Sequence, residues 1–171
     1  MKRLALLAIC ALMLTWMWSG LARSRDELIR MRTTAVQAWK PAEEALWHRS
    51  RILPGLAALA PKSRPAIESA MAKMAAAKDQ PGFIEASVAI DEAVSKWLLE
   101  MEALPPDKVL DPLKERLHEA EFKFAQARRK YNSSVQALNI AIELFPNNLA
   151  AWAFGIRRMD NYFLTVPPLP R

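Results

Sequence analysis

Few side chains in this chain of 171 residues suit metal binding or nucleophilic catalysis: it has two histidines, His48 and His118, and one cysteine, Cys10. Neither histidine has a partner at metal-ligand spacing. His118-Glu119-Ala120-Glu121 begins like a His-Glu-x-x-His zinc helix, but the second histidine is absent. There is no Gly-rich phosphate loop and no Gly-x-Ser-x-Gly nucleophile elbow. The acid pairs Glu43-Glu44 and Asp91-Glu92 read as solvated helix faces. With Cys10 the single cysteine, lying inside an apolar run, no intrachain disulfide is possible, which leaves the compartment open. The sequence therefore assigns no catalytic, cofactor-binding or metal-binding residue, implies no cofactor or small-molecule substrate, and argues against an enzyme.

Charge narrows the partners. The net charge is +6, but the 24 basic residues are spread among 18 acids, so no nucleic-acid stripe emerges. Arg23, Arg25, Arg30 and Arg32 follow the apolar N-terminus directly. Anionic lipid headgroups would explain them, at about 1 kcal/mol per residue near the surface; a solvated helix start would explain them nearly as well.

The elements that carry these residues read as helices. With 29 alanines and four glycines, helix is favoured almost throughout. Apolar positions recur at Leu110, Leu113, Leu117, Ala120, Phe124, Ala127, Tyr131, Val135, Leu138, Ile142 and Phe145. That is a heptad seam with one four-residue stutter near Tyr131. A helix of roughly 50 Å follows, which must pack on others of similar length. Asn132 and Asn139 flank the seam, where a buried amide fixes register between long helices at a cost in stability. The stems of Arg128 and Arg129 can cover apolar surface while their heads reach carboxylates or lipid.

Upstream, Leu28, Ala35, Trp39, Ala42, Leu46, Leu53, Leu56 and Ala60 keep a similar rhythm, interrupted by Arg32 and Arg49. Pro41 and Pro54 lie within it, predicting a helix kinked but unbroken at each. A short helix spans about Pro65 to Lys78, and Asp79-Gln80-Pro81-Gly82 is a turn signal. The next helix points Phe83, Ala86, Ile90, Val94, Trp97, Met101 and Leu104 inward, and Leu104 to Asp107 breaks it. Asp111 and Pro112 then stand in the favoured N-cap and N1 order. Phe145-Pro146-Asn147-Asn148 stops the long helix, and a short one follows.

Leu4 to Ala22 is uncharged. Its nineteen residues, at about 1.5 Å each, nearly match a hydrocarbon core of roughly 30 Å. Trp16 and Trp18 suit an interfacial belt. A retained anchor is expected, with a cleaved signal peptide ending at Gly20-Leu21-Ala22 as the alternative. The short, signal-like N-terminus leans the rest of the chain outward, against the four arginines that follow the run.

Several of these positions resemble the LemA family. Its pattern Glu-x-x-Ile-Ala-x-Ala-Arg-x-x-Tyr-Asn-x-x-Val is met by Glu121, Phe124, Ala125, Ala127, Arg128, Tyr131, Asn132 and Val135. Asn139, Phe145, Pro146, Gly155, Tyr162 and Phe163 meet the later positions. Ala38-Trp39, Arg49 and Ile52-Leu53-Pro54 resemble the upstream hallmark, so the likeness spans about Leu28 to Phe163. Departures are Leu138 for the second Tyr, Arg51 for an acid, and Gly55 for an Asn, as in a divergent member without any polar network that uses that acid. The resemblance implies an all-α fold: an elongated antiparallel bundle of about four long helices behind an N-terminal transmembrane or signal-anchor helix. It implies no settled biochemical role.

The expected organisation is a membrane segment over 1–22, a bundle over 23–165 and a Pro-rich tail over 166–171. The expected function is a non-catalytic scaffold or adaptor tethered by a single pass to a bacterial cytoplasmic membrane, its bundle in the cell envelope, with that membrane and an unidentified protein as partners. Two alternatives differ in class: an exported soluble protein after signal cleavage, and a tetratricopeptide-like peptide-binding module. The second draws on Val135 to Ile156, which looks like a junction between two such repeats. A repeat of about 34 residues would require a turn near Asn132.

Overall fold

The computed structural model describes residues 2–102 and 110–163, the side chains of 2–8, 10 and 110 excepted. Every regular element among them is helical: α1 (Lys2–Ser50), α2 (Leu53–Leu59), α3 (Arg64–Ala76), α4 (Gln80–Glu102), α5 (Leu110–Glu143) and α6 (Asn147–Phe154). The all-α class expected from composition is what forms. The expected break at Leu104 to Asp107 and the tail over 166–171 lie outside the described residues.

The chain divides into two compact units, each taking part of α1 and part of α5. The first contains the described residues of Met1–Gln37 with Ser133–Asp160. Its core joins Leu28, Leu138, Ala141, Ala150 and Ala151, with Leu21, Met31, Ile142, Ile156 and Met159 packed against them. Here α1 and α5 run antiparallel: Glu27 to Thr34 and Ser133 to Ala137 line one groove, while Leu28 shares its cluster with Leu138 and Ala141. Helix α5 ends before Pro146, as expected. Helix α6 closes on Gly155, whose φ of +66° suits glycine, and the Ile156 N–H reaches back to the Ala151 carbonyl at 2.9 Å.

The second unit contains the described residues of Ala38–Asn132 and Asn161–Arg171. On α4, Phe83, Ala86, Ile90, Val94, Trp97 and Met101 are all buried, the 3-4 stripe that periodicity predicts. Leu117, Ala120, Phe124 and Tyr131 of α5 are buried likewise, and Leu113 and Ala127 partly so. The indole N–H of Trp97 is buried and meets no acceptor among the described residues, a local cost of about 1–3 kcal/mol.

Four expectations are corrected. The run from Leu28 to Ala60 is not one helix: α1 ends at Ser50, and α2 restarts at Leu53 with Pro54 in its first turn. Pro54 has no N–H to offer and its ring collides with the carbonyl one turn back, so the chain resets there. Pro41, by contrast, stays inside α1, where it and Gln37, one turn before it, are both exposed. Asp79 to Gly82 is a cap rather than a turn. Asp79 Oδ1 accepts the Gly82 N–H at 2.9 Å and α4 starts at Gln80. A Cβ on Gly82 would lie 3.0 Å from that oxygen and 3.3 Å from the Ala77 Cα, so the close approach needs glycine. Asp111 and Pro112 sit inside the first turn of α5, which is already helical at Leu110. Phe145 is off the seam and 78% exposed, because α5 stops at Glu143; Ala141 and Asn139 are buried near that end instead.

Among the described residues no helix is long and apolar enough to cross a membrane. Residues 4–8 and 10 of the run expected to do so lie outside the described side chains. The backbone of the run is helical throughout, as the first part of α1.

Candidate functional site

The most polar place in the second unit is also among its best buried. Arg49, at the end of α1, is 1% exposed. Its Nη1 donates to Asp91 Oδ1 of α4 at 2.6 Å and its Nε to Glu121 Oε1 of α5 at 2.5 Å. Arg128, two turns along α5, donates to the other Asp91 oxygen at 3.4 Å. Between the two cations lies Phe124, with guanidinium carbons 5.4 and 5.3 Å from its ring centroid. Two positive and two negative charges thus close on one another around an aromatic plate. Burial pushes the Glu121 carboxyl above its ordinary value, and the Arg49 guanidinium beside it pulls the other way.

Perturbed, clustered titratable groups often mark active sites, but structural ion-pair networks perturb pKa values in the same way. Here no nucleophile or histidine joins the cluster, and the exposed His48 and His118 face outward. His48 helps line a shallow groove of about 460 Å³ with Glu44, Trp47 and Arg51. Among the described residues no group of three His, Cys, Asp or Glu could hold a metal.

A second polar pattern lies along α5. In the second unit, the Asn132 amide accepts the Phe163 N–H at 3.0 Å and donates to its carbonyl at 2.8 Å. In the first unit, Asn139 makes the same pair with Met159, at 2.9 and 2.8 Å. Each asparagine satisfies both backbone groups of one residue in the non-helical segment after α6. Register is therefore their role, but it is the register of the C-terminal segment, not of helix against helix. Tyr131 donates its hydroxyl to the Asn161 carbonyl at 2.8 Å, and burial pushes its phenol above the ordinary value. Phe163 is then held under Trp39, the rings stacked at 5.2 Å and 10°, with Tyr131 and Phe124 edge-on. Trp39 donates its indole N–H to Glu43 at 3.0 Å.

Of the acids taken as solvated, Glu44 and Glu92 are exposed, whereas Asp91 and Glu43 are engaged. The sequence held a signal for Asp91: Arg49 breaks an apolar rhythm, and a buried guanidinium requires a carboxylate. Asp91 also adjoins the buried stripe position Ile90. Arg128 does reach a carboxylate, as its reach suggested. The α2–α3 turn is held by Glu100, missed earlier, whose carboxylate accepts from the Ser63 hydroxyl and the Ser63 and Lys62 N–H groups. The Ser63 hydroxyl, foremost, keeps that carboxyl below its ordinary value.

Outside this interior, the first unit bares large apolar side chains: Ile9, Leu12, Met13, Leu14, Trp16, Met17 and Trp18 on α1 are each 55–82% exposed. Phe145, Leu149 and Trp152 around α6 are 78%, 49% and 86% exposed.

Fold and site together define an all-helical protein whose buried polar groups brace its own backbone. The model of the LemA family matches residues 55–167, about two thirds of the chain, and the chain belongs to the LemA family. The match begins after Trp39, Arg49 and Pro54, so it does not extend to the upstream hallmark. That family is not a known enzyme family. No curated protein matches the chain.

Proposed function

We propose that this protein is a membrane-tethered helical scaffold or adaptor of the cell envelope, without catalytic activity, anchored by the N-terminal part of α1 in a bacterial cytoplasmic membrane and lying on its outer side. One observation carries the reading. The α1 surface around Ile9 to Trp18 is apolar and bare, at 55–82% exposure for seven large side chains, which water penalises and lipid does not. The uncharged run Leu4 to Ala22, with basic residues at Lys2, Arg3, Arg23 and Arg25, agrees with a single span. The charged cluster agrees with a non-catalytic role, since Arg49, Asp91, Glu121 and Arg128 are consumed by one another. The tetratricopeptide alternative gains nothing: α5 runs unbroken through Asn132, where that repeat requires a turn.

The test uses full-length protein in cells. Carbonate-washed membranes should retain it, and a single cysteine at exposed Gln126, in a Cys10→Ser background, should react with an impermeant maleimide from outside. Release by carbonate would end the tether; labelling only after the membrane is opened would place the chain on the cytoplasmic side.

A further inference from the structure

Helix α6 raises a question of its own. Beyond its opening asparagines it is apolar all round: Ala150 and Ala151 face the core of the first unit, while Leu149 and Trp152, three residues apart, share the opposite face. A helix apolar on every side is normally buried. Here the outer face is uncovered, with Trp152 86% exposed, and the turn before it adds Leu144 at 58% and Phe145 at 78%.

Its place in the unit says what covers it. The cluster that contains Ala150 and Ala151 also receives Leu21, at the end of the uncharged run, and Arg25 lies over the Phe154 ring at 5.4 Å. The turn between α5 and α6 therefore lies at the level where the proposed anchor leaves the bilayer. Trp16 and Trp18, 82% and 66% exposed, belong to that same level. After the uncharged run, the arginines of this unit (Arg23, Arg25, Arg30, Arg32, Arg157, Arg158) outnumber its acids Asp26, Glu27, Glu143 and Asp160. Arg25 bonds to Asp26 and Arg158 to Glu143, and the excess positive charge faces the sign of anionic headgroups.

We propose that the α5–α6 turn and the outer face of α6, through Leu144, Phe145, Leu149 and Trp152, form a second membrane contact that seats in the headgroup region of an anionic bilayer beside the anchor. The proposal rests on the tether reading for its location but makes a separate claim. Indole and phenyl rings at this depth suit the interface, where one end is apolar and the other wet. A seated α6 gives the first unit a second point of attachment to the membrane beside α1.

Full-length protein is reconstituted in vesicles of phosphatidylcholine with a minority of phosphatidylglycerol. Spin labels go at Trp16→Cys, Phe145→Cys, Trp152→Cys and Gln126→Cys, each in a Cys10→Ser background. All four sites are exposed, so labelling leaves the core intact, which the helical circular dichroism checks. Oxygen accessibility exceeding that of a water-soluble nickel chelate at 16, 145 and 152, with the reverse at 126, supports the seat. Lipid contact at 16 with aqueous signals at 145 and 152 overturns the seat and leaves the tether standing. Aqueous signals at 16, 145 and 152 overturn both. Low accessibility to both reagents at 145 and 152 means a protein, such as a second copy, covers the face, and also overturns the seat.

Discussion

Replacing Arg49 with methionine tests the charged interior most directly. The side chain is 1% exposed, so methionine fills most of its volume but donates nothing. Asp91 keeps only the longer bond to Arg128, at 3.4 Å, and Glu121 loses the 2.5 Å bond it now makes. Removing one partner of a buried ion pair leaves its mate uncompensated and costs about 3–5 kcal/mol. For a chain of this length each kcal/mol moves the melting midpoint by about 2–4 °C, so a fall of roughly 6–20 °C is expected. Urea denaturation followed by tryptophan fluorescence reports it, since Trp39, Trp47 and Trp97 share this unit. The pH dependence has a definite sign. Burial already holds Glu121 above its ordinary value, and losing Arg49 raises it further. A carboxyl raised in the folded state binds its proton more readily there than in the unfolded chain, whose value is about 4.3. Stability is then gained as pH falls through the folded value, so the deficit of R49M should shrink as the pH is lowered from 7 toward the unfolded value. Adding Asp91→Leu, Glu121→Leu and Arg128→Met removes all four charges and should restore most of the loss, as apolar replacement of whole buried networks often does. An R49M protein within about 0.5 kcal/mol of wild type at pH 7, or a deficit that grows on acidification, would refute the network.

Asn132→Leu should destabilise the protein by about 1–3 kcal/mol by stripping the acceptor and donor from the Phe163 backbone, read by urea denaturation; unchanged stability would remove the clasp. Gly155→Ala should cost about 1 kcal/mol, because φ is +66° although no atom crowds the added Cβ, and Gly155→Asn should cost less. Glu100→Gln should cost more stability at pH 7 than in acid. The folded carboxyl is depressed by Ser63, so its stabilisation exists above the unfolded value near 4.3 and disappears as pH falls through the folded one. A variant that loses equal stability at pH 7 and in acid would show that the charge is irrelevant.

The helices were legible because burial enforces period. Phe83 to Met101 and Leu117 to Leu138 fall where a 3-4 stripe must meet a core, and few glycines interrupt them. Stops were harder, since Pro41 and Pro54 look alike in sequence. Both are exposed, yet α1 runs through Pro41 while α2 restarts at Leu53 with Pro54 in its first turn, between the buried Leu53 and Leu56. Polar partners were least legible. Asn132 and Asn139 announce themselves by sitting beside the seam, yet their partners are backbone groups of Phe163 and Met159, which carry no side-chain signature. Asp91 beside Glu92 is indistinguishable from a solvated pair until Arg49 arrives from α1.

The usual placement of chemistry is inverted in this molecule, and that inversion bears on function. An enzyme gathers polar groups in a cleft and leaves some of their bonding capacity for a substrate. Here the buried and half-buried polar groups bond to the protein itself: Arg49 holds two carboxylates, each asparagine holds one backbone residue, and the less buried Glu100 holds a turn. The large apolar side chains that would ordinarily be inside stand on the surface of the first unit instead, at Trp16, Trp18, Phe145 and Trp152. Such exposure costs about 25 cal/mol for each Å² of apolar surface that a partner could cover. The costly feature is thus an outer face and the stabilised one an interior. The spin labels on either side of the α5–α6 turn ask whether lipid covers that face.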